Sequence, residues 1–216
     1  HAYTTILADV INKYYKNMGY DTFFLTGTDE HGQKVEEAAK KNKIEPINHV
    51  NEYVKKFKKA WNNLDIEYDY FIRTTDEKHK DVVKNVLNHL YNKGEIYKNE
   101  YEGLYSVSEE RFITEKEAEE GSFREIKKLK ETNYFFKIFK YQKELVDHIN
   151  KNPNFIQPQS RKNEILNFLK NDLQDLCISR PKKRLSWGIE LPFDKDYVTY
   201  VWFDALINYI SAIGYL

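Results

Sequence analysis

Apolar residues recur at helical spacing over the first positions of the chain, at Ile6, Val10, Ile11, Tyr14 and Met18, and Gly19 is placed to stop that helix. Asp21-Thr22-Phe23-Phe24-Leu25-Thr26 is then almost continuously apolar, the pattern of a strand covered on both faces, as in a parallel sheet. A helix is predicted from near Gln33, with Val35, Ala38 and Ala39 on one side, and another from about Ile47, with Val50, Val54, Phe57, Trp61 and Leu64 on one stripe. Tyr68 to Arg73 reads as a second strand. Thr74 with Glu77 three residues on is a capping box opening a helix that turns Val82, Val83, Val86, Leu87 and Leu90 inward and stops at Gly94. Helices alternating with strands predict an α/β fold built on a doubly wound parallel sheet.

The pattern changes near Glu95. Ile96-Tyr97-Lys98 and Tyr101 to Val107 look like two short strands around a polar turn, and a charged stretch runs from Glu109 to Glu120. Aromatic residues crowd the region from Tyr134, Pro153 and Pro158 punctuate it, and Ser160 is placed to cap a helix bearing Ile165, Leu166, Phe168 and Leu169. After Pro192 the earlier alternation returns. Tyr197 to Phe203 reads as a strand, and Asp204 as the cap of a final helix. The expected organisation is an α/β domain in two parts, residues 1–94 and 192–216, interrupted by an inserted domain over 95–191.

Composition narrows the classes. The 216 residues carry 34 Lys plus Arg and 34 Asp plus Glu, so no whole-molecule field draws the chain to nucleic acid or to an anionic membrane. The single cysteine, Cys177, excludes an internal disulfide and a cysteine-rich zinc site, and suits a reducing, cytoplasmic compartment. Its neighbours Leu176 and Ile178 mark it as a small apolar residue and not a nucleophile. No apolar run approaches the roughly 20 residues that cross a bilayer, and the first residues have neither the n-region nor the h-region pattern of a signal peptide. The start at His1 and the stop soon after an amphipathic segment lead us to expect an internal piece of a longer protein.

In open parallel sheets ligands bind beyond the carboxyl ends of the strands. Two loops fall there: Gly27-Thr28-Asp29-Glu30-His31-Gly32 and Trp202-Phe203-Asp204-Ala205. The first sets two carboxylates and an imidazole between glycines, where a backbone can approach a ligand and a carboxylate can hold an ammonium group. The plain alternative is that Asp29 or Glu30 caps the next helix and His31 is a solvated loop residue. Neither a Walker loop nor a dinucleotide-binding GxGxxG is present.

His1-Ala2-Tyr3-Thr4-Thr5, then Phe24-Leu25-Thr26-Gly27-Thr28-Asp29-Glu30-His31-Gly32-Gln33, closely resemble the methionyl-tRNA synthetase family of class I aminoacyl-tRNA synthetases. So do Tyr101 to Glu109, Leu166 to Leu169, Ile178-Ser179-Arg180 and Tyr200 to Tyr209, in the family's order across the whole chain. The resemblance implies that methionine is activated by ATP, as its Mg2+ complex, to methionyl-adenylate and then passed to tRNA(Met). It implies that His1 is the second, ATP-facing histidine of the His-Ile-Gly-His motif, with the KMSKS loop beyond Leu216, so that this piece alone is inactive. Asp29 resembles the carboxylate that takes the methionine ammonium, and Arg180 its structural partner. Trp202, Ala205 and Tyr209 resemble the walls of the thioether pocket.

Each residue also has a plainer reading. His1 is otherwise a terminal residue without a role, Arg180 one exposed charge in a basic run with Lys182, Lys183 and Arg184, and Trp202 and Tyr209 are core aromatics. The sequence departs from the family at the Cys-x-x-Cys zinc knuckle of many members, where it has Ser106-Val107-Ser108-Glu109, so no zinc is expected. Leu206 stands where some members have proline. A sibling synthetase for another apolar amino acid and a non-catalytic RNA-binding relative are the alternatives.

Overall fold

A computed structural model describes residues 1–106, 111–113, 115–121, 123 and 125–215. The first part runs α1 (Ala2–Asn17), β1 (Leu25–Thr28), α2 (Gln33–Lys41), α3 (Pro46–Asn63), β2 (Tyr70–Arg73) and α4 (Glu77–Asn92). Strands β1 and β2 are parallel, in register from Leu25 opposite Tyr70 to Thr28 opposite Arg73. This is the mixed α/β class with a parallel sheet that the alternating pattern predicts. Phe24, Val54, Trp61, Ile66 and Phe71 form a core cluster that packs α3 onto the two strands. The stripe on α1 is different: Ile6, Val10, Ile11, Tyr14 and Met18 are exposed. The buried residue of that helix is Asp9, whose carboxylate accepts the Glu67 backbone N–H at 3.0 Å and pairs with Lys13 at 2.9 Å.

The middle of the chain is antiparallel. β3 (Ile96–Ser106) is one strand of 11 residues, not the two short strands predicted. It pairs along its whole length with β5 (Ile126–Phe136), Ile96 opposite Phe136 and Ser106 opposite Ile126. The polar residues Asn99 and Glu100 lie opposite Asn133 and Thr132, so the continuous partner carries them through the ladder. β4 (Arg111–Ile113) lies on one edge and, after α5 (Glu115–Glu120), β6 (Leu176–Cys177) completes the sheet in the order β4-β3-β5-β6. Two helices, α6 (Gln142–Lys151) and α7 (Gln159–Phe168), lie between β5 and β6. α7 starts after Pro158 without a side-chain cap, so Ser160 lies inside the helix and does not cap it.

The last part holds β7 (Ser179–Pro181), β8 (Glu190–Leu191), β9 (Asp194–Thr199), α8 (Val201–Leu206) and α9 (Asn208–Ser211), with sheet order β7-β9-β8. The strand predicted to reach Phe203 stops at Thr199, and Trp202 and Phe203 are helical. Aromatic and β-branched residues suit either element, so a short apolar run does not distinguish them. Here the Tyr200 N–H makes a last contact in the register of β9 with β7, donating to the Ile178 carbonyl at 2.8 Å, and the helix starts one residue later. The larger core joins Val82, Val83 and Leu87 of α4 to Ile96, Tyr134, Ile178, Leu191 and Ile207, all buried. No helix among the described residues is long and apolar enough to cross a membrane.

Candidate active site

β1 and β2 end side by side, and the site is built where they stop. A Cβ on Gly27 would lie 2.0 Å from the Ile72 carbonyl oxygen, so glycine is what lets the two strands meet there. A cavity of about 200 Å³ opens at this edge. One wall is β1 and the following Asp29, with Ile72 and Thr74, and Ala205, Asn208 and Tyr209 form the other. Asp29 also borders a second cavity of about 300 Å³, lined by Lys34, His49, Tyr53 and Phe57 among others.

The two residues after Asp29 turn inward. Glu30 is 1% exposed and accepts four hydrogen bonds on its carboxylate: from Arg73 Nε at 2.8 Å and Nη2 at 2.9 Å, from Thr28 Oγ1 at 2.6 Å and from Thr75 Oγ1 at 2.5 Å. Its backbone N–H donates to Thr74 Oγ1 at 3.0 Å, and its carbonyl accepts Trp187 Nε1–H at 2.6 Å. Arg73 reaches on to Asn51 Oδ1 at 2.7 Å. The capping box expected at Thr74 is therefore not formed. Asp76 occupies the N-cap position of α4 without a side-chain cap bond, and the Thr74 hydroxyl serves Glu30 instead.

His31 is buried, and its Nδ1 lies 2.6 Å from Asp204 Oδ2. The other oxygen of Asp204 lies 2.7 Å from His79 Nε2, and His79 Nδ1 is 2.8 Å from Ser211 Oγ. An ionised carboxylate only accepts, so both imidazoles donate to Asp204. Asp204 is fully buried; desolvation works against its charge, yet the two imidazole hydrogen bonds together outweigh it and hold the carboxyl below its ordinary value. Asp204 does not cap the final helix as predicted: α8 begins at Val201 with Tyr200 as its N-cap, and Asp204 points inward from its middle. Nor do Asp29 and Glu30 cap α2, whose N-cap is Gly32 at φ 103°, a left-handed conformation that glycine tolerates.

The predicted site residues separate into groups. Asp29, Ala205 and Tyr209 share one cavity. Trp202 is 55% exposed and lines a different, apolar cavity of about 600 Å³ with Val86, Leu90, Leu206 and Ile210. Arg180 is buried and not the exposed charge of the plain reading. Its Nη1 donates to the Ser179 carbonyl at 2.7 Å and to Cys177 Sγ at 3.3 Å, and its guanidinium lies over the rings of Tyr200 at 4.3 Å and Tyr105 at 5.7 Å. Burial pushes the Cys177 thiol up, and Arg180 offsets this only in part, as suits an unreactive cysteine. His1 is exposed at the start of α1, with its ring edge-on to Phe57 at 5.6 Å. The Val107-Ser108-Glu109 part of the zinc-knuckle position lies outside the described residues. Among the described residues no group of three or more His, Cys, Asp or Glu side chains is arranged to hold a metal ion.

The sequence reading passes over Arg73, His79 and Ser211. Signals for two of them exist in the spacing. Val82, Val83 and Val86 follow His79 at three, four and seven residues, and Ser211 follows Ile207 at four, so each polar residue sits on a buried stripe. Buried polar residues on such stripes are held by partners.

A pocket at the carboxyl edge of parallel strands, floored by a polar loop, is the ligand position of open α/β proteins. Residues 1–122 and 118–216 match the family model described as "tRNA synthetases class I (M)", and the chain belongs to that family. It is 51% identical to the methionine–tRNA ligase of Fusobacterium nucleatum over 219 residues, and 48% identical to that of Clostridium perfringens over 220. These alignments cover 99% and 100% of the chain, which spans about a third (34%) of the length of either relative. Among solved structures, the Mycobacterium tuberculosis methionyl-tRNA synthetase in complex with methionyl-adenylate superposes with a TM-score of 0.93 at 37% identity, over 100% of this chain and 43% of that one. The free form of the same enzyme gives 0.81 at 34% identity, over 100% and 42%.

Proposed function

We propose that the protein activates methionine with ATP, as its Mg2+ complex, and transfers the methionyl group to tRNA(Met) in the cytoplasm. The observation that best supports this reading is a cavity lined by Asp29 together with Ala205 and Tyr209, in a chain of this family. A zwitterionic amino acid with an uncharged side chain needs such a pair of features: an acceptor for its ammonium and an apolar recess for its tail. Asp29 takes the ammonium, and Ala205 and Tyr209 flank the thioether, whose soft sulfur packs well on aromatic rings; Trp202 is assigned to the same thioether by the family resemblance, although it lines the separate apolar cavity. Arg180 is the structural partner of Asp29. His1 faces the ATP phosphates, where stabilising charge on the oxygens and holding them in line carry most of the catalysis. A structural zinc has no part in this reading. The same reading divides the chain into 1–94, an inserted domain over 95–191, and 192–216.

The test is amino-acid-dependent exchange of pyrophosphate into ATP by the protein expressed from its whole gene. Methionine should support exchange, while residues 1–216 alone should show almost none, since His1 is only part of the phosphate-binding machinery. Exchange supported by another apolar amino acid and not by methionine would assign a sibling synthetase. RNA binding without any exchange would assign a non-catalytic relative.

A further inference from the structure

The cavity has two walls from distant parts of the chain, and a hydrogen bond joins the segments that carry them. Asp29 belongs to the first wall, Ala205 and Tyr209 to the second. His31 stands two residues after Asp29, and Asp204 immediately before Ala205. The 2.6 Å contact between His31 Nδ1 and Asp204 Oδ2 therefore joins the walls directly behind the pocket. The other carboxylate oxygen is used differently: it meets His79 of α4, whose Nδ1 lies against Ser211 of α9, so this bond ties Asp204 to the helix that follows β2 and not to the loop that carries Asp29. All four side chains are buried, so water does not substitute for either bond.

We propose that the His31–Asp204 hydrogen bond is a spacer that fixes the distance between the ammonium-binding and tail-binding walls of the pocket, making His31 and Asp204 positioning residues for amino-acid recognition. The inference rests on the proposed amino-acid site. Its logic is geometric. An apolar recess discriminates by shape alone, and one methylene in such a recess is worth only about 10- to 200-fold, so selectivity there depends on the walls being held at a set distance. Glu30 pins the first wall to β2 through Arg73, and His79 ties Asp204 to α4, but neither bond reaches from the Asp29 loop to the second wall. His31–Asp204 does.

The role separates from plain stability through the identity of the nitrogen. Asparagine places its amide nitrogen near the position of imidazole Nδ1, the atom that meets Asp204, whereas glutamine reaches toward the position of Nε2. In the protein expressed from its whole gene, His31→Asn should leave the KM for methionine in pyrophosphate exchange within about threefold of the parent. His31→Gln and His31→Ala should raise it at least tenfold, with the KM for ATP within twofold in every case. His79→Ala should lower the melting temperature more than His31→Ala, since His79 is the more deeply buried (1% against 7%), yet raise the methionine KM less than threefold. Equal KM values for the Asn and Gln variants, or KM values that track the order of melting temperatures, overturn the proposal. Should His31→Ala fail to fold, the Asn and Gln pair decides alone. The parent's choice of amino acid tests the underlying reading separately: if another amino acid supports exchange, that reading falls, and the KM for that amino acid in the same variants decides the spacer.

Discussion

Asp29 lies just past β1, beside two cavities, and its neighbours Glu30 and His31 hold this loop carboxylate in place. Both are buried and bonded to separate elements, so the backbone at Asp29 is fixed from within while its own side chain lies at the surface. A group positioned in this way loses little entropy on binding a ligand. In the proposed reading Asp29→Ala removes the charged acceptor of an ammonium, a bond worth about 1.5–3 kcal/mol. The affinity for methionine should fall by roughly 10- to 100-fold, with the melting temperature little changed because the side chain is exposed. Isothermal titration of the parent and variant with methionine reads this directly; unchanged affinity removes Asp29 from the site.

At the scale of elements, β1 and β2 are four residues each, too short to hold their register by ladder bonds alone. The Glu30–Arg73 ion pair clamps their carboxyl ends. Arg73→Met keeps much of the side-chain volume but leaves the buried Glu30 carboxylate with only Thr28 and Thr75 as side-chain donors. Breaking a buried pair from one side costs about 3–5 kcal/mol, and the two hydroxyls place this case near the lower figure. Urea unfolding should show that loss, and the double change Glu30→Gln with Arg73→Met should recover part of it. A double variant no more stable than the single one would mean the pair is not the clamp. The same elements show what a sequence discloses. The helices α3 and α4 are legible because several apolar residues repeat on one face: Val50, Val54 and Trp61 are buried, as are Val82, Val83 and Leu87. Hydroxyl and carboxylate contacts are not legible in the same way, because their partners are distant in sequence. Thr74 fits a capping box by spacing, yet its hydroxyl is used by Glu30, 44 residues away. Asp204 likewise reads as a cap and proves to be a buried acceptor for two histidines. Asp29, Ala205 and Tyr209 line one cavity, whereas the bonds that frame them have no local signature.

For the whole molecule, Asp204 is the point where the first and last parts of the chain meet, since it is bonded to His31, 173 residues away, and to His79, 125 residues away. That makes the global stability depend on its ionisation, with a sign set by the structure. The Asp204 carboxyl is held below its ordinary value in the folded chain: burial opposes its charge, and the hydrogen bonds from His31 and His79 prevail. In the unfolded chain it titrates near the usual aspartate value of about 3.9. Because the folded state binds this proton less readily than the unfolded state, the stability due to the charged form is fully present above about pH 5 and is lost as pH falls through 3.9 toward the folded value. Asp204→Asn keeps the shape but has no such proton, so the difference in urea midpoint between parent and variant should be largest near pH 6–7 and shrink steadily below about pH 4. A difference that stays constant from pH 7 to pH 3 would show that shape, and not the charge of Asp204, holds the two parts of the chain together.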